Sequence, residues 1–444
     1  MKVYLILGMC GIFLVNYFLQ WYWLNYLVVV MVFIAFAGSA LMARGFPRIL
    51  GLGMMAMGIY LEFHKGNGLE GISQGIMLVL PLLCLIVLAP LIALPLRVGG
   101  YFTAIDTLLR NLLHHPKRFF AGITGTMFVL TPVLNLGSVR IINEFLKDLK
   151  LPSAVSAKSY LVGFSSSPMW SPYFASVSIV LYYLNIPVGD YILYGFCFSL
   201  ISLVIGNVLF AVWEKNHPLV TEGMVQEVPL QEKQRKQLIQ LVAFVFILMS
   251  GSLLIEFVTH WSMLVIVSLI SIVFPFLWSL LFKGWDRIEP QLKSYRNETV
   301  PMMNNEIMLF TSAGLLGHAV QGTQFANGIS QFLTNTAHHS FFLFAFAVMM
   351  IILVFTYIGL HQLAVISALA MQLNAQELGI SNLSLAMLLL LAWSTSTALS
   401  PYSGLNLMVS RIAGISGVQV GLRSNGVHLS IVAIVGIVII ALIK

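Results

Sequence analysis

The sequence predicts an all-α polytopic membrane protein, with about eleven transmembrane helices and two re-entrant helical hairpins arranged as an inverted repeat. Three observations lead there. Hydrophobic residues make up 59% of the chain and charged residues 9%, where a soluble domain carries about 25%. Apolar stretches recur along its whole length at the roughly 20-residue scale of a bilayer crossing. A motif of serines, threonines and one proline inside one such stretch, Ser394-Thr395-Ser396-Thr397-Ala398-Leu399-Ser400-Pro401-Tyr402, has a twin at Ser165-Ser166-Ser167-Pro168-Met169-Trp170-Ser171-Pro172-Tyr173. The twins lie 229 residues apart and share five of nine positions.

The expected spans are 3–20, 24–43, 47–63, 75–97, 159–187, 190–213, 237–257, 260–282, 303–321, 383–410 and 426–443. Lys2 precedes an apolar run without a prompt small-residue cleavage site, so 1–23 reads as an extra, retained N-terminal helix. Two further apolar stretches, 119–150 and 341–378, break in the middle, at Thr131–Ser138 and at Gly359–Gln362. Arms of roughly 13–18 residues reach about 20–27 Å, enough to pass the midplane and turn back. Both read as hairpins. Each is preceded by an amphipathic segment ending in a His pair, His114-His115 or His338-His339. The pairs read as ends of interfacial helices, with metal binding as the alternative.

Charge supports this topology. Segments 214–236 and 283–302 carry several Lys and Arg, so both are expected on the cytoplasmic side. Walking outward puts the N-terminus inside, the C-terminus outside, the first hairpin open to the cytoplasm and the second to the exterior. Only Lys65 and Lys444 of 23 basic residues then face outward, and residues 301–410 contain no Lys or Arg. The net charge of +7 is read as orientation and not as a nucleic-acid surface. Collinear order gives the repeat: scaffold spans 24–97, hairpin 119–150, broken helix 159–187 and span 190–213 in the first unit (24–213). After the linker 214–236, the second unit (237–444) has scaffold spans 237–321, hairpin 341–378, broken helix 383–410 and span 426–443. An odd number of crossings separates the units, so the repeat is inverted. Cys10, Cys84 and Cys197 sit in separate apolar segments and read as packing residues.

With two hairpins, each followed by a broken serine-rich helix, the chain resembles the ion transporter superfamily. That group includes divalent anion/sodium symporters, citrate-type and arsenite-efflux permeases, and the membrane subunit of tripartite periplasmic transporters. The resemblance implies a homodimer in the bacterial inner membrane, with a fixed scaffold and a moving transport domain, an elevator. The dicarboxylate branch carries Ser-Asn-Thr at each hairpin tip. Here the tips read Asn135-Leu136-Gly137-Ser138 and Gly359-Leu360-His361-Gln362, so that branch's substrate and sodium ligands are not carried over.

Hairpin tips and broken helices offer helix N-termini for an anion, and carbonyls and hydroxyls for Na⁺. The cation-site candidates are Asn135, Gly137, Ser138, Ser165, Ser166 and Ser167, with Gly359, His361, Gln362, Ser394, Thr395, Ser396 and Thr397 in the second unit. The bland reading of the serines is close helix packing. Pro172 and Pro401 unwind their helices or merely kink them. Substrate candidates are Asn135, Ser138, Arg140, Tyr173, His361, Gln362 and Tyr402. Arg140 either holds a substrate carboxylate or pairs with Glu144 one turn on. His361 binds substrate, relays protons or bonds within the tip. The chain has no HExxH, phosphate loop or Gly-x-Ser-x-Gly elbow, so no enzyme is expected, and no cofactor beyond Na⁺ as coupling ion. The expectation is a Na⁺-coupled symporter of a small organic anion, with membrane lipid as its surroundings. The alternatives are an exporter or proton-coupled transporter of the same fold, or a membrane subunit of a larger complex.

Overall fold

The computed structural model describes residues 2–43, 46–218, 231–281, 284–358, 360 and 362–444. Among them the chain is helical, without strands. The first helices are α1 (Lys2–Leu19), α2 (Tyr22–Met42), α3 (Phe46–His64) and α4 (Gly68–Leu88). Pro90 and Pro95 then convert the end of α4 into a tight turn, Ala89–Ala93, and a short helix α5 (Leu94–Val98), since proline cannot donate to the helical ladder. Gly100, at φ 73°, turns the chain into α6 (Tyr101–Asn111), whose apolar side buries Ala104, Ile105 and Leu109.

The first hairpin follows. Pro116 starts α7 (Pro116–Leu134), and α8 (Gly137–Leu146) returns along it. Its foot is fastened to α6: Arg110 donates to both Asp148 carboxylate oxygens, at 3.0 and 3.1 Å, and to the Phe145 carbonyl. That bond holds the Asp148 carboxyl below its ordinary range. The first broken helix is α9 (Ser153–Ser165) and α10 (Ala175–Tyr183), followed by α11 (Val188–Asn216).

The remaining helices are α12 (Glu232–Thr259), α13 (Met263–Leu281), α14 (Trp285–Ser294), α15 (Val300–Met302), α16 (Asn304–Val320), α17 (Gln324–His339), α18 (Phe341–Tyr357), α19 (Gln362–Gln372), α20 (Asn382–Leu399), α21 (Gly404–Ala413) and α22 (Asn425–Ile443). Segment 283–302, expected as a loop, is largely helical, because Ile288 and Tyr295 find buried positions. The second hairpin is α18 and α19, which pack together; Gly359 and His361 of its tip lie outside the described residues.

Among the described residues eight segments are long and apolar enough to cross a membrane, an arrangement consistent with a multi-pass membrane protein. They match eight of the eleven expected spans. The other three are helical: α3, which is long enough but carries Arg48 and Glu62, the interrupted α9–α10 pair, and the 17-residue α16. Burial separates the spans. The most apolar window of Asn382–Ala413 is 89% buried, against 28% for Glu232–Thr259 and for Gln419–Ile443. The broken helix α20–α21 is therefore central, and α12 and α22 present apolar side chains outward.

Candidate functional site

The two breaks set the site. In the first, Pro168 and Pro172 both interrupt the ladder, and α9 stops at Ser165. In the second, Thr397 stands where the twin has Pro168, so the helix continues to Leu399 before Pro401 ends it. Ser394, Thr395, Ser396 and Thr397 are therefore all helical, and the second break falls after Leu399, at Pro401. Beyond the breaks the two chains come back into step. Helices α10 and α21 begin at Ala175 and Gly404, again 229 residues apart.

The released carbonyls find side-chain donors, as buried backbone requires. Pro401 leaves the Thr397 carbonyl without its partner, and Ser403 Oγ donates to it at 2.6 Å. Tyr191 Oη donates to the Met169 carbonyl, and Asn406 Nδ2 to that of Ala398, its counterpart in the second motif, at 3.0 Å. The Tyr173 N–H donates to Ser171 Oγ and the Tyr402 N–H to Ser400 Oγ, both at 3.3 Å. The motifs also touch each other. Ser394 Oγ donates to the carbonyl of Ser165, its own counterpart, at 2.9 Å.

Around this junction lies a cavity of about 430 Å³. Four helices begin on its wall: α8 at Gly137, α10 at Ala175, α19 at Gln362 and α21 at Gly404. Each N-terminus brings unpaired N–H groups and partial positive charge. Arg97 and Arg140 line the same cavity, and neither forms an ion pair or a side-chain hydrogen bond among the described residues. Ser176 Oγ, Trp393 Nε1 and Thr397 Oγ1 belong to lining residues and are buried without a hydrogen-bond partner among the described residues. Glu306 is the one carboxylate among the lining residues. At the first tip Asn135 adopts φ 50° and ψ −133°, a conformation costly for a residue with a side chain. Its own Oδ1 accepts the Leu136 N–H at 2.8 Å, which supports that turn.

Of the residues the sequence nominates, Asn135, Gly137, Arg140, Gln362 and Thr397 line the cavity. Others have structural partners. Ser138 is buried, donates to the Asn135 carbonyl at 2.7 Å and bonds Thr131 Oγ1, so it staples the tip. Ser166 donates to the Val162 carbonyl, Ser167 to that of Gly163 and Ser396 to that of Trp393. Tyr173 donates its hydroxyl to the Leu248 carbonyl of α12 at 2.9 Å. Tyr402 is 64% exposed and outside the cavity lining. Thr395 is buried in α20. Glu144 pairs with Lys147, so the alternative Arg140–Glu144 pair is not formed.

Arg97 is the residue that sequence reading passed over. Its only signal is the Pro90/Pro95 pair, which marks its segment as turned out of a straight helix.

Compared with known proteins, the chain matches no family model and no curated relative. The chemistry of the cavity carries the assignment. Four helix N-termini and two unpaired guanidinium groups around one small space favour an anion with several oxygens.

Proposed function

We propose that the chain is a secondary active transporter, a Na⁺-coupled symporter of a small organic anion in a bacterial inner membrane. The observation that carries this reading is the convergence of four helix N-termini, Arg97 and Arg140 on one cavity of about 430 Å³. Such a volume falls within the usual range for small-molecule pockets. Interrupted helices that aim N-termini at a central site are the usual transporter solution for an anionic group.

The inverted repeat is supported by the 229-residue interval. It relates the starts of α10 and α21, the Ser171 and Ser400 turns, and the Ser165 and Ser394 pair that meets in the centre. A two-fold relation between halves brings counterpart residues together on its axis. In the eleven-span topology, with the N-terminus inside and the C-terminus outside, Arg97, Met303 and Glu306 lie at the cytoplasmic ends of their helices. The cavity is then open inward, one end-state of an elevator whose hairpins and broken helices move against the scaffold of a homodimer. Ser165 Oγ, Ser176 Oγ and Thr397 Oγ1, all buried and unpartnered among the described residues, are the nearby hydroxyls open to Na⁺.

A second reading, proton coupling, is favoured by Glu306, whose carboxylate lines the cavity. Uptake of labelled carboxylates and oxyanions into proteoliposomes, under a sodium or a proton gradient, separates the two. One anion class accumulates only with inward sodium. Arg97→Gln and Arg140→Gln each lose accumulation, and Glu144→Gln keeps it. Accumulation driven only by protons and abolished in Glu306→Gln selects the second reading. Wild-type rates in both arginine variants overturn the anion site.

A further inference from the structure

A second basic cavity, away from the breaks, has no part in the proposed transport site. It measures about 530 Å³ and lies where the end of α11 meets the starts of α9 and α22. Lys158, Arg423, His217 and His428 line it, and no carboxylate does among the described residues. Lys158 Nζ donates to the Ser424 carbonyl at 2.5 Å and sits 5.4 Å from the centre of the Trp213 ring. The same Trp213 stacks on His217 with ring centres 4.5 Å apart. Arg423 has no ion pair or side-chain hydrogen bond among the described residues. His428 is 5% exposed, and neither ring nitrogen has a hydrogen-bond partner among the described residues. A buried imidazole with two unmet nitrogens, beside two cations and no acid among the described residues, is a site short of an anionic hydrogen-bonding group.

The wall of the cavity says which anion. Val212 of α11 and Val427 of α22 both line it and are exposed to the surroundings of the helices. From Val212 an exposed apolar ridge, Val204–Val208–Val212, runs along α11 at one-turn intervals. On α22 Val427, Ile434 and Val438 are likewise exposed, and the two helices pack together. A soluble phosphate has no use for this apolar surface, whereas acyl chains can lie along it. Trp213 sits at the level where such a groove meets the cations, as interfacial tryptophans do.

We infer that this cleft between α9, α11 and α22 binds an anionic phospholipid. Its phosphodiester head group rests on Lys158, Arg423 and His428, and its chains lie along Val204–Val212. Basic pockets between membrane helices take such head groups.

The test is thermal unfolding of the purified full chain in neutral detergent, titrated with phosphatidylglycerol, with phosphatidylcholine, or with inorganic phosphate alone. Phosphatidylglycerol stabilises the wild type, and the other two do not. With each basic residue near a membrane surface counting for roughly a fivefold effect, Arg423→Gln weakens the apparent lipid affinity about fivefold and Lys158→Gln with Arg423→Gln about 30-fold. Lys233→Gln with Lys236→Gln, which removes two charges from the start of α12, leaves it unchanged. If the double variant does not fold, Arg423→Gln decides alone. Equal response of wild type and Arg423→Gln overturns the site. Stabilisation by inorganic phosphate equal to that by phosphatidylglycerol overturns the lipid and assigns the cleft to a soluble phosphate.

Discussion

A hydroxyl in a membrane helix ordinarily returns its proton to a carbonyl one turn back, and three of the seven serines of the two motifs do so. Ser166, Ser167 and Ser396 are occupied in this way, which satisfies the hydroxyl and leaves it a poorer ion ligand. Ser394 instead bridges to the other motif, and Ser165 Oγ is left without a partner among the described residues. The two serines therefore predict different phenotypes. Ser394→Ala removes a buried bond and costs about 1–3 kcal/mol of stability in sodium and potassium alike. Ser165→Ala leaves stability in potassium unchanged and removes the extra stabilisation by sodium. Unfolding temperatures of both variants in the two salts check this; equal loss in both salts for Ser165→Ala denies it an ion-binding role. The positions of these serines were legible in the sequence because hydroxyls and proline are rare in apolar runs. Their roles were not, because back-bonding, bridging and ion binding use the same residue type.

At the scale of the element, each break is held by a helix that comes close to it. Gly195 of α11 lies against the Met169 carbonyl, and a Cβ there would meet that oxygen at 2.4 Å. Gly421, in the turn before α22, lies against the second break. A Cβ there would meet the Leu399 carbonyl oxygen at 2.6 Å and that of Ala398 at 2.9 Å. These neighbours are backbone and have little room to retreat. Gly421→Ala is thus expected to cost about 1–3 kcal/mol through overpacking. Gly426→Ala, in α22 with its nearest neighbour at 3.7 Å, is expected to be neutral or to gain up to about 1 kcal/mol from helix propensity. Thermal unfolding of the pair distinguishes a tightly held break from a loosely packed one. The breaks themselves follow from local chemistry, and Pro172 and Pro401 mark both. Their unequal lengths also follow, since only the first motif has a second proline at Pro168. Segment 283–302 was misread as a loop because its charges hide amphipathic helical turns whose buried positions, Ile288, Tyr295 and Val300, are few and far apart.

For the whole molecule, hydropathy locates the long apolar helices, and interruptions locate the hairpins and breaks, because both signals are contained within one segment. The cavity is different. Arg97 reaches it only because a proline-turned stretch after α4 folds over the first hairpin tip, and Glu306 because α16 begins beside it. Such contacts join residues 97, 140, 306 and 393, which no local pattern connects. Tyr173 and Tyr402, equivalent in sequence, end in different surroundings, one bonded to α12 and the other exposed. The two motifs therefore share a turn pattern and diverge in side-chain duty.

The most direct measurement is the thermal stability of the purified protein against a panel of small carboxylates and oxyanions, with sodium or potassium as the only cation. A ligand at about 100 times its dissociation constant adds about 2.7 kcal/mol. One class of anion is expected to raise stability in sodium and not in potassium, and Arg140→Gln to abolish the rise. No shift with any anion in either cation, or an undiminished shift in Arg140→Gln, would contradict an anion site built from the four helix N-termini and the two arginines.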